Sequence, residues 1–380
     1  MKVVTERQYY IDWLRCGAMF LLVFYHSGRL FDEEPWHIKN AVENLGIHVF
    51  NRIMDIWQMP LFFLVAGAAV WYSMGSRSAG GFFKERVLRL LVPLIFGMLI
   101  IIPPQVYMER IFDGDFTGSF IAWYPHTFQG TYSMDNPASG NLSWHHLWFL
   151  VYLFVFSLLL LPFFRYFRRE DKKGIISSMA VFLAKPGMIL LPAVPLVVVN
   201  FLLRDAYGYG NQTLVNDWAN FLFYILVFFY GFMIVADSRI TQAIRRQTFY
   251  TLGGAIIFLA IYSLIQAEIV ETTAGIYHSV YAIACWLWLL TFIGVGMRLL
   301  NFDNRLRRYA SDAVLPVYIL HQTLIIVIGF YVIQWDVPVV VKYFFVVIAV
   351  FLSSLAIYEV VRRINVTRFL FGIKVRKRTS

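Results

Sequence analysis

Ionisable side chains set inside apolar sequence are where chemistry is to be sought in this chain. The stretch Tyr9 to Phe31 is long enough to cross a bilayer as a helix, yet it carries Asp12, Arg15 and His26. A charged group in such a segment costs roughly 2.5 kcal/mol or more, so these groups normally face a bundle interior and mark a site or a pathway. Arg15 and His26 are eleven residues apart. At about 100° and 1.5 Å per residue they fall within about 20° of one face, roughly 16 Å apart along the axis, with Asp12 near the same face. One helix thus presents a cation at one mouth and an imidazole deep in the membrane. In the alternative reading Asp12 and Arg15 pair with each other and His26 bonds a neighbouring helix.

A second cationic feature is the run FFKERVLRLLVP, in which Arg86 and Arg89 lie three apart on one helical face. Arginine forks match phosphate oxygens bidentately, so with Arg15 at the same depth they favour a phosphate site; charge anchoring at the membrane surface is the other reading. Further imidazoles stand in SWHHLWFL (His145, His146), at His278, and in PVYILHQ, where His321 is about ten residues deep, near mid-membrane. With neither cysteine nor carboxylate at ligand spacing, no metal site is predicted; histidine as proton acceptor or donor fits better, its reference pKa lying near 6.5. Gln58, ahead of Pro60 in the second apolar run, either touches substrate or bridges helices, and Trp148 lines the acceptor side or packs.

The elements that must position these groups follow from composition. The 380 residues are 59% apolar and 18% aromatic, with mean hydropathy +0.63, which points to a multi-span membrane protein. Ten apolar segments can be read, at about 10–31, 47–73, 87–107, 146–164, 187–203, 217–236, 249–267, 278–299, 313–334 and 339–361. Taken alternately, the connections on the side of the N-terminus hold 26 of the 33 basic residues, from Lys2, Arg7, Arg77 and Lys84 to the tail of about 362–380. The positive-inside rule then makes both termini cytosolic and explains the net charge of +10 as topology, with no nucleic-acid partner. The predicted fold is an all-α polytopic bundle of about ten transmembrane helices forming a single domain, 1–380. No cleavable signal is expected, because the first apolar run is long and charged. Cys16 and Cys285 read as packing residues.

Only one connection is long, about 104–145. It carries Glu109, Asp113, Asp115 and Asp135 with Trp123, Tyr124, His126 and Tyr132, and Gly130, Pro137 and Gly140, which suits an ordered outer lid. Residues 174–185, ended by Pro186, are too short to span and are expected along the cytosolic surface. Glu359 reads as a counter-ion to nearby arginines.

The ordered set YIDWLR with a histidine eleven residues beyond its arginine, MPLFFLVAG, RVLRLLVP, HHLWFL, VYILHQ and YEVVRRIN leading to RFLFGIKV resembles the integral-membrane acyltransferase family 3, and within it the branch that succinylates periplasmic glucans. The resemblance covers nearly the whole chain. It implies acyl transfer across a bacterial inner membrane, from cytosolic acyl-CoA (succinyl-CoA or acetyl-CoA, a co-substrate and no permanently bound cofactor) to a hydroxyl of an envelope carbohydrate on the outer side. It further implies that His26 is essential, as are Arg86 and Arg89. Two stretches depart from the family pattern: HQT stands where some glucan-modifying members have a second histidine and a proline, and AG replaces the more usual SG.

The site expected from residues and resemblance together has His26 as general base with His321 as its catalytic partner. Arg15, Arg86 and Arg89 bind the CoA phosphates, and His146, Trp148, Asp12 and Gln58 stand on the substrate side. Membrane lipid, acyl-CoA and the carbohydrate are the expected partners. The competing function is a transporter or flippase of an anionic or lipid-linked sugar, which would usually show repeats or broken helices in matching halves. A purely structural membrane protein would tolerate loss of His26 and both arginines.

Overall fold

A computed structural model describes residues 8–133, 139–209 and 212–376, with the side chain of Ser76 excepted. Lys2, Arg7, Asp135, Pro137 and the last basic residues, Lys377 and Arg378, lie outside the described residues. The chain folds into helices: α1 (Tyr9–Gly28), α2 (Leu45–Asp55), α3 (Gln58–Ser73), α4 (Ala79–Phe112), α5 (His145–Leu159), α6 (Leu161–Phe167), α7 (Lys173–Leu183), α8 (Met188–Tyr207), α9 (Trp218–Ile234), α10 (Ser238–Gln266), α11 (Ala274–Leu299), α12 (Arg305–Val332), α13 (Val339–Val361) and α14 (Asn365–Leu370). Among the described residues β-structure is confined to two isolated bridges, Gly130 with Gly140 and Thr131 with Leu142. A helix satisfies its own backbone donors and acceptors, which is what a segment passing through hydrocarbon requires.

Among the described residues seven helical stretches are long and apolar enough to cross a membrane, or eight if α5 and α6, bent by 52°, count as one span. All ten expected segments coincide with helices. Two of them fall outside that count: α1, whose Asp12, Arg15 and His26 dilute its apolar character, and α9, which at 17 residues is short. Charged ends hid the true length of others. Helix α10 begins at Ser238, capped by Asp237, whose side chain accepts from the Arg239 amide at 2.9 Å, and α12 begins at Arg305, with Asn304 accepting from the Arg307 amide at 2.7 Å.

Prolines account for the irregularities. The break at Ile56 and Trp57 falls at the carbonyl that Pro60, lacking an N–H, cannot serve, and it leaves Pro60 in the first turn of α3. In α4 the turns Val87–Leu91 and Gly97–Ile101 are π-helical, with the Val92 amide donating to Val87 and that of Ile102 to Gly97, and each ends just before a proline, Pro93 or Pro103. Proline cannot donate to the carbonyl four residues back, and a helix that keeps going takes up an extra residue there. Arg89 therefore sits inside a π turn, wider than the α-turn that its spacing from Arg86 implied.

The chain divides into two compact units. The first holds residues up to Ala18, Asp55–Phe83 and Val155–Ser311; the second holds Met19–Met54, Lys84–Phe154 and Asp312–Ser380. In the first, α3 and α9 meet backbone to backbone: a Cβ on Gly67 would lie 1.8 Å from the Phe228 carbonyl oxygen, and one on Gly231 would lie 1.9 Å from that of Leu64. Small residues are what allow membrane helices so close an approach. In the second, α14 returns onto α4, with Phe371 5.2 Å from Phe96 and Gly372, at φ +66°, against the Arg89 carbonyl.

Gly67→Ala is expected to force α3 and α9 apart and cost about 2 kcal/mol or more. A melting temperature in detergent equal to that of the parent chain would contradict the close approach.

Candidate active site

The second unit gathers the imidazoles. His26, in the last turn of α1, has Nδ1 at 2.8 Å from Nε2 of His321 on α12. His321 in turn has Nδ1 at 2.6 Å from the carbonyl oxygen of Tyr318. Only a protonated nitrogen can bond a carbonyl, so Nδ1 of His321 carries the hydrogen and Nε2 of its neutral ring is an acceptor. His26 must then donate from Nδ1, which leaves its own Nε2 with a free lone pair. The tautomers are thus fixed by the backbone carbonyl at the end of the chain of bonds. His321 is fully buried, whereas His26 keeps part of its surface open, so the open ring is the one with the free basic nitrogen.

His146 stands beside this pair, its ring perpendicular to that of His321 at 5.2 Å. Its Nε2 lies 3.1 Å from the Ile319 carbonyl, and its own carbonyl accepts from the Tyr318 hydroxyl. Both groups of α12 come from the turn before His321, so α5 and α12 are registered by the residues that hold the dyad. Trp36, in the connection after α1, lies parallel to His26, with 6.3 Å between ring centroids and 7° between planes.

A further buried polar network borders the dyad. His37 pairs through Nδ1 with Glu109, the Tyr132 hydroxyl donates to Glu109 at 3.3 Å, and the Gln322 side-chain nitrogen lies 3.3 Å from His37 Nε2. Burial and the adjacent Glu109 carboxylate push the Tyr132 phenol well above its ordinary value, so it stays a donor. Consecutive residues of α12 thus hold two imidazoles, His321 that of His26 and Gln322 that of His37. None of His37, Gln322 or Trp36 stood out in the sequence, and Glu109 was read as a loop acid because α4 runs on past the expected end at 107. An acidic residue one turn beyond an apolar run, at helical spacing from Gln105, was the available signal.

Arg86 and Arg89 also belong to the second unit, and both reach Glu85: Arg86 Nη2 at 3.3 Å from Oε2, Arg89 Nε at 3.5 Å from Oε1. The Arg86 side chain is 12% exposed and that of Arg89 51%, so an anion would meet Arg89 first and compete with Glu85 for both. Trp148 packs edge-on to Tyr152 at 5.3 Å.

The remaining expected site residues fall in the first unit. Asp12 is paired with Arg307 and lies 3.4 Å from Arg15, which also donates to the hydroxyl and carbonyl of Ser311. Hydrogen bonds from Arg308 and Arg307 hold the Asp303 carboxyl down at about 2, and Arg307 joins Asp303 to Asp12. Gln58 donates to the Ala18 carbonyl at 3.4 Å, a bridge between helices. His278, also in this unit, bonds Asp205 and Tyr209, each at 2.9 Å. Among the described residues no three His, Cys, Asp or Glu side chains are grouped so as to hold a metal ion.

A free imidazole nitrogen backed by a second, tautomer-fixed imidazole is the arrangement of a general base for a hydroxyl. The profile of a family described as an acyltransferase domain matches residues 8–359, almost the whole chain. The chain belongs to acyltransferase family 3. It is 23% identical to the Glucans biosynthesis protein C of Salmonella schwarzengrund (strain CVM19633) over 393 residues, covering 98% of this chain and 96% of that one. The protein of the same name from Salmonella typhi is likewise 23% identical, over 386 residues with the same coverage. No solved structure matches the chain. The family membership and the apolar helices together make it a multi-pass membrane acyltransferase.

If the Tyr318 carbonyl and His321 set the tautomer of His26, His321→Leu should lower kcat for acyl transfer by about 10²-fold or more. His321→Gln, whose carbonyl oxygen can accept from His26 Nδ1, should recover part of the loss. Equal rates for the two variants, measured at saturating acyl donor, would contradict the assignment.

Proposed function

We propose that the protein takes an acyl group, succinyl or acetyl, from cytosolic acyl-CoA and transfers it to a hydroxyl of a periplasmic glucan or related envelope carbohydrate. The observation that carries this reading is the His26–His321 pair, which leaves one basic nitrogen open at the end of a membrane helix. The relatives named for glucan biosynthesis support the acceptor class. The reading places the enzyme in a bacterial inner membrane with ten crossings and both termini cytosolic, as the alternation of basic connections requires.

In this mechanism the CoA phosphates displace Glu85 from Arg86 and Arg89, and the pantetheine arm carries the thioester inward toward His26. His26 Nε2 removes the proton of the acceptor hydroxyl as its oxygen attacks the thioester carbonyl. The C–O bond forms, the C–S bond breaks, and the proton passes from His26 to the departing sulfur. The imidazolium that exists in between is stabilised because Nδ1–H already points at a neutral acceptor, His321 Nε2. An acyl-histidine intermediate on Nε2 would use the same open nitrogen, and trapping of an acylated His26 would distinguish it.

His26→Ala is expected to abolish acylation of envelope glycans, read as the loss of the added acyl mass, while the protein still accumulates folded in the membrane. Normal acylation by that variant would end the proposal. Arg86→Ala should instead weaken acyl-CoA binding by about tenfold or more; unchanged affinity in a direct binding measurement would remove the arginines from the donor site.

A further inference from the structure

Beside the His26 dyad lie buried polar atoms that the mechanism above does not use. Gln105 on α4 is fully buried, and neither its amide nitrogen nor its amide oxygen has a hydrogen-bond partner. His146, 5% exposed, spends Nε2 on the Ile319 carbonyl and leaves Nδ1 buried without a partner. His145 has Nε2 buried and unpartnered as well. An unmade hydrogen bond of this kind costs about 1–3 kcal/mol, so three such residues in one unit call for an explanation.

Their placement gives them one location. Gln105 is one helical turn before Glu109 and shares its face of α4. Glu109 holds His37, and the ring of His145 lies 5.1 Å from that of His37 and 4.3 Å from that of Tyr132. The next residue, His146, lies against His321. Neighbouring residues usually diverge; here the backbone of His145 takes φ +38°, a conformation L-residues seldom adopt, and both imidazoles turn toward the buried polar groups. The series runs from the His37–Glu109–Tyr132 network to His321, the partner of His26.

The chemistry of the row selects its ligand. The one carboxylate, Glu109, is matched by His37, by Tyr132 and by Arg110 at 3.6 Å. What is left over is one amide donor, one amide acceptor and two imidazole nitrogens, all neutral. Such a set suits alcohols, which both give and accept hydrogen bonds, and offers no unmatched cation to a phosphate or carboxylate. Resting on the acyl-transfer reading, we propose that Gln105, His145 and His146, bordered by the His37–Glu109–Tyr132 network, form the acceptor subsite and bind hydroxyls of a neutral saccharide so that one of them meets His26.

The test uses the full-length protein in detergent and the variants Gln105→Leu and His145→Asn, the second chosen because asparagine tolerates the left-handed backbone. The probe is a neutral glucose tetrasaccharide with succinyl-CoA or acetyl-CoA as donor. Each variant should raise the KM for the saccharide by about tenfold, the worth of one lost hydrogen bond, with acyl-CoA affinity unchanged. Gln105→Leu should also melt no lower than the parent, since it removes two unmet polar atoms. An unaltered saccharide KM in both folded variants overturns the subsite, as does a parallel loss of acyl-CoA affinity, which would move these residues to the donor side. Should Gln105→Leu fail to fold, His145→Asn and Gln105→Met carry the measurement. Direct saccharide binding, followed by tryptophan fluorescence, separates the two readings. Binding that the variants weaken, in a protein that transfers no acyl group, sinks the acyl-transfer reading and keeps the subsite; absence of binding to the parent chain sinks the subsite.

Discussion

The constraint on which the second unit depends is the cost of holding an imidazole in apolar surroundings. A buried ring with an unmet N–H or lone pair is expensive, and three of the rings here each have at least one nitrogen met by a backbone carbonyl or by another ring, with His146 Nδ1 left over. The carbonyls come from Tyr318 and Ile319, two consecutive residues of α12. A helix can lend these oxygens at little loss, because a carbonyl has two lone pairs and the ladder uses one. The dyad is therefore anchored to a rigid element and not to a loop, and its hydrogen positions follow from the helix itself.

The two arginine groups obey a different logic. Asp12, Arg15, Arg307 and Asp303 form a closed ladder in which each guanidinium faces a carboxylate. Arg86 and Arg89 both reach the carboxylate of Glu85, and the Arg89 side chain is half exposed. A phosphate would meet Arg89 at the surface, whereas Arg307 in the first group is buried against its carboxylates.

Much of this was legible in the sequence, and the failures have physical causes. The apolar periodicity located every helix that carries a site residue, and the presence of His26 and His321 inside apolar runs marked both as unusual before any geometry was known. Helix ends were misplaced where charge continues the helix without hydrophobicity, as at Ser238, Arg305 and Glu109. The wide turns of α4 could not be read from the spacing of Arg86 and Arg89, because a π turn differs from an α turn by a single hydrogen-bond register. Trp36 and His37 lie in a connection with no period at all; only folding shows that it returns over the end of its own helix. Gln58 and Trp148, which the sequence also singles out, bond the Ala18 carbonyl and lie edge-on to Tyr152 respectively, contacts that no spacing in the sequence could specify.

The paired π turns of α4 have a consequence for how this chain can change. Each inserts one residue relative to an ideal helix and so rotates everything beyond it by about 100°. Gln105 and Glu109 point where they do relative to Glu85 and Arg86 because two such offsets lie between them. Loss of a single residue from Val87 to Ile101 could be absorbed by tightening one turn into ordinary helix, leaving the segment intact and the Glu109 carboxylate still turned toward His37. The two wide turns are thus a reserve of length, whereas a loss with no such turn to absorb it would rotate the polar interior by about 100°.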